Sequence, residues 1–104
     1  MKIQINAAKN ITGSEEIREL LTTQISEELN RFSHNITRLE VHLSDEDGNK
    51  NGPGDKRCMI EARLEGRQPI AVTNEANRFE QAAKGAIAKL KTSLITISGR
   101  LRRH

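Results

Sequence analysis

The apolar residues of this chain recur with two different periods, and the first change of period separates a strand from a helix. Ile3 and Ile5 alternate with polar neighbours, which predicts a short first strand. Thr12 and Glu15 have the spacing of a capping box, so we expect a helix to begin near Ser14. The helix is predicted to run to about residue 32, because apolar residues recur there at helical intervals: Ile17, Leu20, Leu21, Ile25, Leu29 and Phe32.

The period of two returns in the middle of the chain. Leu39, Val41 and Leu43 alternate with charged or polar residues and predict a second strand. Residues 44–55 are dense in Gly, Pro, Asn and Asp, which predicts an exposed loop. Two further strands are predicted on either side of a turn at residues 66–68, the first over residues 56–65 and the second over residues 69–73.

A long amphipathic helix is predicted next, beginning at Thr73 or Asn74. It ends at Gly99 or continues through it to Leu101. The order βαβββα predicts one α+β domain over residues 1–104, with a four-stranded mixed sheet, two helices packed on one face and the first two strands parallel. The apolar stripe of the last helix contains Ala76, Phe79, Ala83, Ala86, Ile87, Leu90, Leu94 and Ile97.

Side chains for a catalytic or metal centre are few and poorly spaced. The loop that starts at Asp45 begins like an EF-hand, but Lys50 and Lys56 occupy the positions where that motif needs Gly and Glu. The histidines lack the spacing of zinc ligands. Cys58 alternates inward, which favours a small core residue over a nucleophile. We therefore expect no enzymatic activity, no cofactor, no metal and no small-molecule substrate.

The sequence also favours a cytoplasmic protein without membrane contact. Its first ten residues are polar and alternating, with no apolar signal region. No apolar run approaches the roughly 18 residues that a membrane-spanning helix needs. A single cysteine cannot form an internal disulfide, and a reduced thiol is typical of the cytoplasm.

Positive charge is concentrated in the last 21 residues. They contain six Lys and Arg and no Asp or Glu, while the rest of the chain holds all 14 acidic residues. On a helical projection Lys84 and Lys91 lie on one flank of the apolar stripe and Lys89 on the other. Small or uncharged residues separate the two flanks: Gln81, Gly85, Ala88, Thr92 and Ile95. Cations along two edges of a small, uncharged face favour contact with a phosphate backbone over a merely solvated helix.

A set of short motifs occurs in a characteristic order. The set is Val41-His42-Leu43 before an acidic loop, Asp55-Lys56-Arg57-Cys58, Gly66 with Pro69, Val72-Thr73 with Ala76, and Ala82, Ala86 and Lys89-Leu90-Lys91. With these motifs the chain resembles the ribosome hibernation-promoting factor family, also called ribosome-associated inhibitor A or sigma-54 modulation protein. The resemblance extends over essentially the whole chain, and it implies the same βαβββα domain.

The resemblance implies that the partner is the small ribosomal subunit. Members of the family bind its rRNA between head and body over the decoding region, block messenger and transfer RNA, and keep idle ribosomes inactive. The rRNA contacts implied by the resemblance are Lys84, Lys89 and Lys91 on the last helix, with Lys56 and Arg57 at the junction of loop and strand. Charge alone adds a basic tail at residues 99–104 with Arg100, Arg102 and Arg103.

The chain departs from the usual family pattern in three respects. Its first helix is acidic, aromatic residues are reduced to Phe32 and Phe79, and the sequence ends after the last helix, as in short forms of the family. We expect a monomer away from the ribosome. Two alternatives stay open at this point: an RNA-binding domain with a non-ribosomal target, and a protein-interaction module that uses the outer face of the last helix.

Overall fold

The computed structural model describes residues 1–8, 14–45 and 55–102, with the backbone alone for residues 14 and 98–102. The predicted α+β order, βαβββα, is confirmed. The predicted capping residue Thr12 and most of the predicted loop lie outside the described residues. The elements are β1 (Lys2–Ala7), α1 (Ser14–Glu28), a 3-10 turn (Asn30–Phe32), β2 (Ile36–Asp45), β3 (Lys56–Leu64), β4 (Ile70–Ala76) and α2 (Phe79–Arg102).

The four strands form one mixed sheet in the order β1-β2-β3-β4. β1 runs parallel to β2, with Ile5 opposite Val41, because the α1 crossover returns the chain in the same direction. β3 is antiparallel to both of its neighbours, and Ile60 lies opposite Val41 on one side and Val72 on the other. The predicted strand directions are therefore confirmed.

One face of the sheet and both helices share a single core. Leu39, Val41 and Ile60 of the sheet are completely buried, as are Ile25 of α1 and Leu90 of α2. The same cluster includes Cys58, which confirms that this cysteine points inward. Burial raises the pKa of its thiol to about 12. The core thus places both helices on one side of the sheet and leaves the other side open.

The boundary between the last strand and the last helix differs from the prediction. β4 continues to Ala76 and α2 begins only at Phe79. Residues 74–76 extend the strand because they pair with residues 56–58 of β3. Asn74, which resembles a helix cap in sequence, does bond to the helix, but its side chain donates from the strand to the carbonyl oxygen of Ala82 at 3.2 Å. The backbone of α2 continues through Gly99, so that glycine does not end the helix.

Candidate nucleic-acid interface

The three lysines of α2 lie on two sides of the helix, as their spacing predicted. Lys84 and Lys91 line a cleft between α1 and α2. Lys89 reaches the opposite way, and its Nζ donates to the backbone carbonyl oxygen of Thr73 in β4 at 2.8 Å. Because β4 is an outer strand of the sheet, this lysine lies along the sheet edge. The three lysines therefore lie on two flanks of α2 and do not form one cluster.

A cleft between the two helices lies beside two of these cations. It has a volume of about 260 Å³. Gln24 and Glu28 come from α1, one turn apart, and Lys84 and Lys91 come from α2, two turns apart. The remaining lining is Ile87 and Ala88 of α2. Polar side chains of α1 thus line one side of the cleft, and apolar side chains and two lysines of α2 line the other.

The two lysines of the cleft differ in their contacts. Lys91 Nζ lies 3.1 Å from Glu28 Oε2, so an ion pair joins the helices. Lys84 is exposed and has no ion pair among the residues that the structure describes. Lys84 is therefore available to an anion without breaking an existing pair, whereas Lys91 must first release Glu28.

The outer face of α2 is narrower than the sequence suggested, because Gly85 does not belong to it. Gly85 lies against β4, where a Cβ would be only 2.1 Å from Asn74 Nδ2. The absence of a side chain lets the Asn74 carboxamide reach the helix and donate to Ala82. The other members of the predicted face are exposed: Gln81, Ala88, Thr92 and Ile95.

Lys56 lies on the helix side of the sheet and is engaged in ion pairs. Its Nζ is 2.8 Å from Asp45 Oδ2 and 3.1 Å from Asp55 Oδ2, and it lies 5.9 Å from the centre of the Phe79 ring. The hydrogen bond to Asp45, supported by Asp55, raises the pKa of Lys56. Asp55 is itself buried. These contacts join the first residues of β3 to the end of β2 and to the start of α2.

Arg57 is separated from the other predicted rRNA contacts. It lies half-buried on the open sheet face, in register with Ser44 and Glu75, so the sheet stands between it and α2. The basic tail is described only in part: Arg100 and Arg102 belong to the last turns of α2 by their backbone, and Arg103 lies outside the described residues. The structure therefore brings together Lys84 and Lys91, but does not bring Arg57 to them.

Gln24 of α1 and Arg67 of the turn between β3 and β4 also lie beside α2, and neither was predicted as a site residue. Gln24 faces the cleft, although in sequence it is one polar residue on an acidic helix. Arg67, in the turn between β3 and β4, lines a small groove with Leu94 and Ile97 of α2. Only the packing of the turn beside α2 places this arginine on the same side as the C-terminal half of that helix.

The open face of the sheet is balanced in charge. Arg38 pairs with Glu40 at 2.9 Å, and Arg63 pairs with Glu61 at 3.4 Å, each pair within one strand. Arg38 also donates to Gln4 on β1. Neighbouring acids thus offset these arginines, whereas α2 has no acid after Glu80. The excess of positive charge therefore lies along α2, because α1 on the same side of the sheet is acidic.

Within the described residues, no three His, Cys, Asp or Glu side chains are arranged to hold a metal ion. Neither described helix combines the length and apolarity needed to cross a membrane.

The comparison with known families decides the identity of the domain. The model of the sigma 54 modulation protein / S30EA ribosomal protein family matches residues 3–102, nearly the whole chain. The chain belongs to this family. The membership confirms the resemblance found in the sequence motifs, and no curated protein matches the chain.

Solved structures share the fold of this S30EA family member. The N-terminal domain of Protein Y from Thermus thermophilus superposes with a TM-score of 0.70 at 22% identity, covering 90% of this chain and 96% of that one. A ribosomal subunit interface protein from Coxiella burnetii gives a TM-score of 0.73 at 20% identity, covering 95% of this chain and 99% of that one. At these identities the likeness is one of fold.

Proposed function

We propose that this S30EA family member is a ribosome-associated translational silencer. It binds the rRNA of the small subunit near the decoding region and keeps idle ribosomes inactive, acting in the cytoplasm as a monomer and without catalytic turnover. The family membership and the name of a protein with the same fold, a ribosomal subunit interface protein, support a ribosomal partner.

The observation that carries the proposal is the acid-free surface of α2. From Lys84 onward the helix bears only positive charges, while its apolar stripe is covered by the sheet and α1. Exposed lysines on both sides of a rigid helix can neutralise phosphates without disturbing the core. We assign the contacts to Lys84, Lys89 and Lys91, with Arg100, Arg102 and Arg103 extending the surface.

Lys56 and Arg57 take a lesser part in this proposal. The two carboxylates beside Lys56 already offset its charge, and Arg57 lies on the other side of the sheet. We assign Lys56 mainly to holding the strand junction. The acidic exposed side of α1 is expected to face away from the rRNA, since its carboxylates would repel phosphate.

The test is sedimentation of the purified protein with separated small and large subunits, followed by a translation assay in a purified system. We expect comigration with the small subunit, and inhibition that added messenger and initiator tRNA relieve. Equal binding to small subunits and to unrelated structured RNAs would support a general RNA-binding domain instead. Inhibition that outlasts removal of the protein, with rRNA cleaved, would show a nuclease and overturn the proposal.

A further inference from the structure

We propose that the cleft between α1 and α2 holds one unpaired nucleotide of the bound RNA, with the base against α2 and the phosphate at Lys84. This inference rests on the proposed function and specifies how the RNA is held. The cleft borders the part of α2 that follows Glu80 and has no acidic residue, so an RNA strand that follows the lysines of α2 passes the cleft.

The dimensions of the cleft suit a ligand of this size. Its volume of about 260 Å³ is slightly below the roughly 300 Å³ at which pockets for drug-sized ligands begin. The space therefore takes a single planar base more readily than a stacked pair. Ile87 and Ala88 give it an apolar floor, which suits the face of a base removed from its stack.

The α1 side of the cleft offers the kind of group that recognises the edge of a base. Gln24 Oε1 is buried and has no hydrogen-bond partner among the residues that the structure describes. A buried carbonyl without a partner is unfavourable, so rotation of the carboxamide toward the cleft, where a ligand supplies a donor, gains binding free energy. A glutamine carboxamide presents a donor and an acceptor side by side, and bases in single-stranded RNA are recognised by such groups on their Watson–Crick edges.

The charges at the cleft fix the orientation of the nucleotide. Lys84 has no ion pair among the described residues, whereas Lys91 is held by Glu28. A phosphate is attracted to Lys84 and repelled by the Glu28 carboxylate. The phosphate group therefore lies at the Lys84 end, and the base extends toward Gln24.

Chemical probing of the small-subunit complex tests this arrangement. In the wild-type complex we expect one rRNA base to lose its reactivity toward reagents that modify the Watson–Crick edge. Gln24→Met keeps the length of the side chain and its helix propensity but removes the hydrogen-bonding amide. It should restore the reactivity of that base and weaken binding roughly five- to tenfold. Thr23→Ala, at an exposed neighbouring position outside the cleft, is the matched control and should change neither quantity.

A second variant keeps the test decisive if Gln24→Met folds poorly. Ala88→Leu places a larger side chain at an exposed position of the cleft floor and should exclude the base with the same loss of protection. Neither variant removes a charge, so the salt dependence of binding should stay unchanged, whereas Lys84→Gln should reduce its slope by roughly 0.7 to 0.9.

The two proposals fail in different ways. A protein that does not bind small subunits at all would overturn the proposed function. A complex that forms normally, with every base protection unchanged in Gln24→Met and in Ala88→Leu, would overturn the nucleotide site alone. Weaker binding without any change in base reactivity would assign the cleft to a ribosomal protein, and would also overturn the inference.

Discussion

Lys91 of α2 is paired with Glu28 of α1, and Nζ and Oε2 are 3.1 Å apart in the interhelical cleft that both residues line. Both side chains are partly exposed, so the pair contributes little to folding, about 0 to 1 kcal/mol. Its larger consequence concerns binding. A phosphate that approaches Lys91 competes with a carboxylate of the same protein, and part of the attraction is already offset before RNA arrives.

Removing the competing carboxylate should therefore strengthen RNA binding. We expect Glu28→Gln to increase small-subunit affinity severalfold, because Lys91 becomes available and one repulsive charge disappears. The unfolding free energy should change by less than about 1 kcal/mol. Glu27→Gln is the matched control, since Glu27 is exposed beside Glu28 but does not line the cleft. Equal gains in both variants would show a general charge effect and not release of Lys91.

The salt dependence of binding measures how many lysines of α2 meet phosphates. Replacing Lys84, Lys89 and Lys91 together with Gln should weaken binding and reduce the slope of log K against log salt by about 2 to 3. The fold should survive, because these side chains border the core and Gln is a good helix former. Binding at several potassium concentrations and circular dichroism are the measurements.

A matched triple variant controls for net charge alone. Lys2, Arg18 and Arg63 are exposed and lie off α2, so their replacement by Gln removes the same charge from other surfaces. We expect this control to change the slope much less than the triple variant of α2. Equal slopes for wild type and for the α2 variant would show that those lysines form only a solvated face.

Gly85 of α2 lies so close to Asn74 of β4 that its replacement by alanine should destabilise the protein, the reverse of the usual effect of Gly→Ala in a helix. Ala normally stabilises an exposed helix interior over Gly by about 1 kcal/mol. Here an added Cβ would meet the Asn74 carboxamide, with Cγ only 2.6 Å away, and displace its bond to Ala82. We expect Gly85→Ala to lower the unfolding free energy by about 1 kcal/mol, because the lost contact exceeds the gain in propensity.

Asn74→Ala supplies the background in which this explanation is tested. With the carboxamide removed, Gly85→Ala should become neutral or stabilising, since only helix propensity is left. Urea unfolding of the four proteins gives the coupling energy. If Gly85→Ala destabilises equally with and without Asn74, the cause lies elsewhere than in this contact.

The buried thiol should make stability depend on alkaline pH. The pKa of Cys58 rises from about 9 to about 12 on folding. Below pH 9 the thiol is protonated in both the folded and the unfolded state, so its ionisation does not lower the unfolding free energy. Between pH 9 and 12 only the unfolded thiol ionises, and the unfolding free energy should fall by up to about 1.4 kcal/mol per pH unit. Cys58→Ala removes this dependence, and the difference between the two urea-unfolding profiles isolates it. Parallel profiles from pH 8 to 11 would contradict a buried, neutral thiol.

Most of the fold could be predicted because the period of the apolar residues marks the face of each strand or helix that is buried. Leu39, Val41 and Leu43 alternate strictly, and the sheet buries all three. The same alternation placed Cys58 inward, and it also places Lys56 inward, whereas the assignment of Lys56 as an rRNA contact came from the family resemblance and not from this pattern. The predicted start of α2 was wrong. Asn74 is a residue type that often caps a helix, but pairing with β3 extends β4 through this position.

The candidate site was less predictable because it depends on contacts between distant segments. The flanks of α2 follow from helical spacing alone, and Lys84, Lys89 and Lys91 lie where that spacing puts them. Gln24 and Lys84 line the same cleft only because α1 and α2 pack side by side. The contact of Gly85 with Asn74 likewise joins two elements, and the sequence of α2 contains no sign of it.

Lys56 should act on stability more than on RNA affinity, the reverse of the effect expected for Lys84. Lys56→Gln leaves Asp45 and the buried Asp55 without this ammonium, so the unfolding free energy should fall. Because folding raises the pKa of Lys56, its contribution is fully present below the ordinary lysine pKa of about 10.5 and is lost as pH rises through the higher folded value. Lys84→Gln removes a lysine with no ion pair among the described residues and should leave stability nearly unchanged while it weakens small-subunit binding. Urea unfolding and binding by the folded fraction, measured for both variants, separate the two roles. A Lys56→Gln protein as stable as wild type that binds as weakly as Lys84→Gln would make Lys56 a direct rRNA contact.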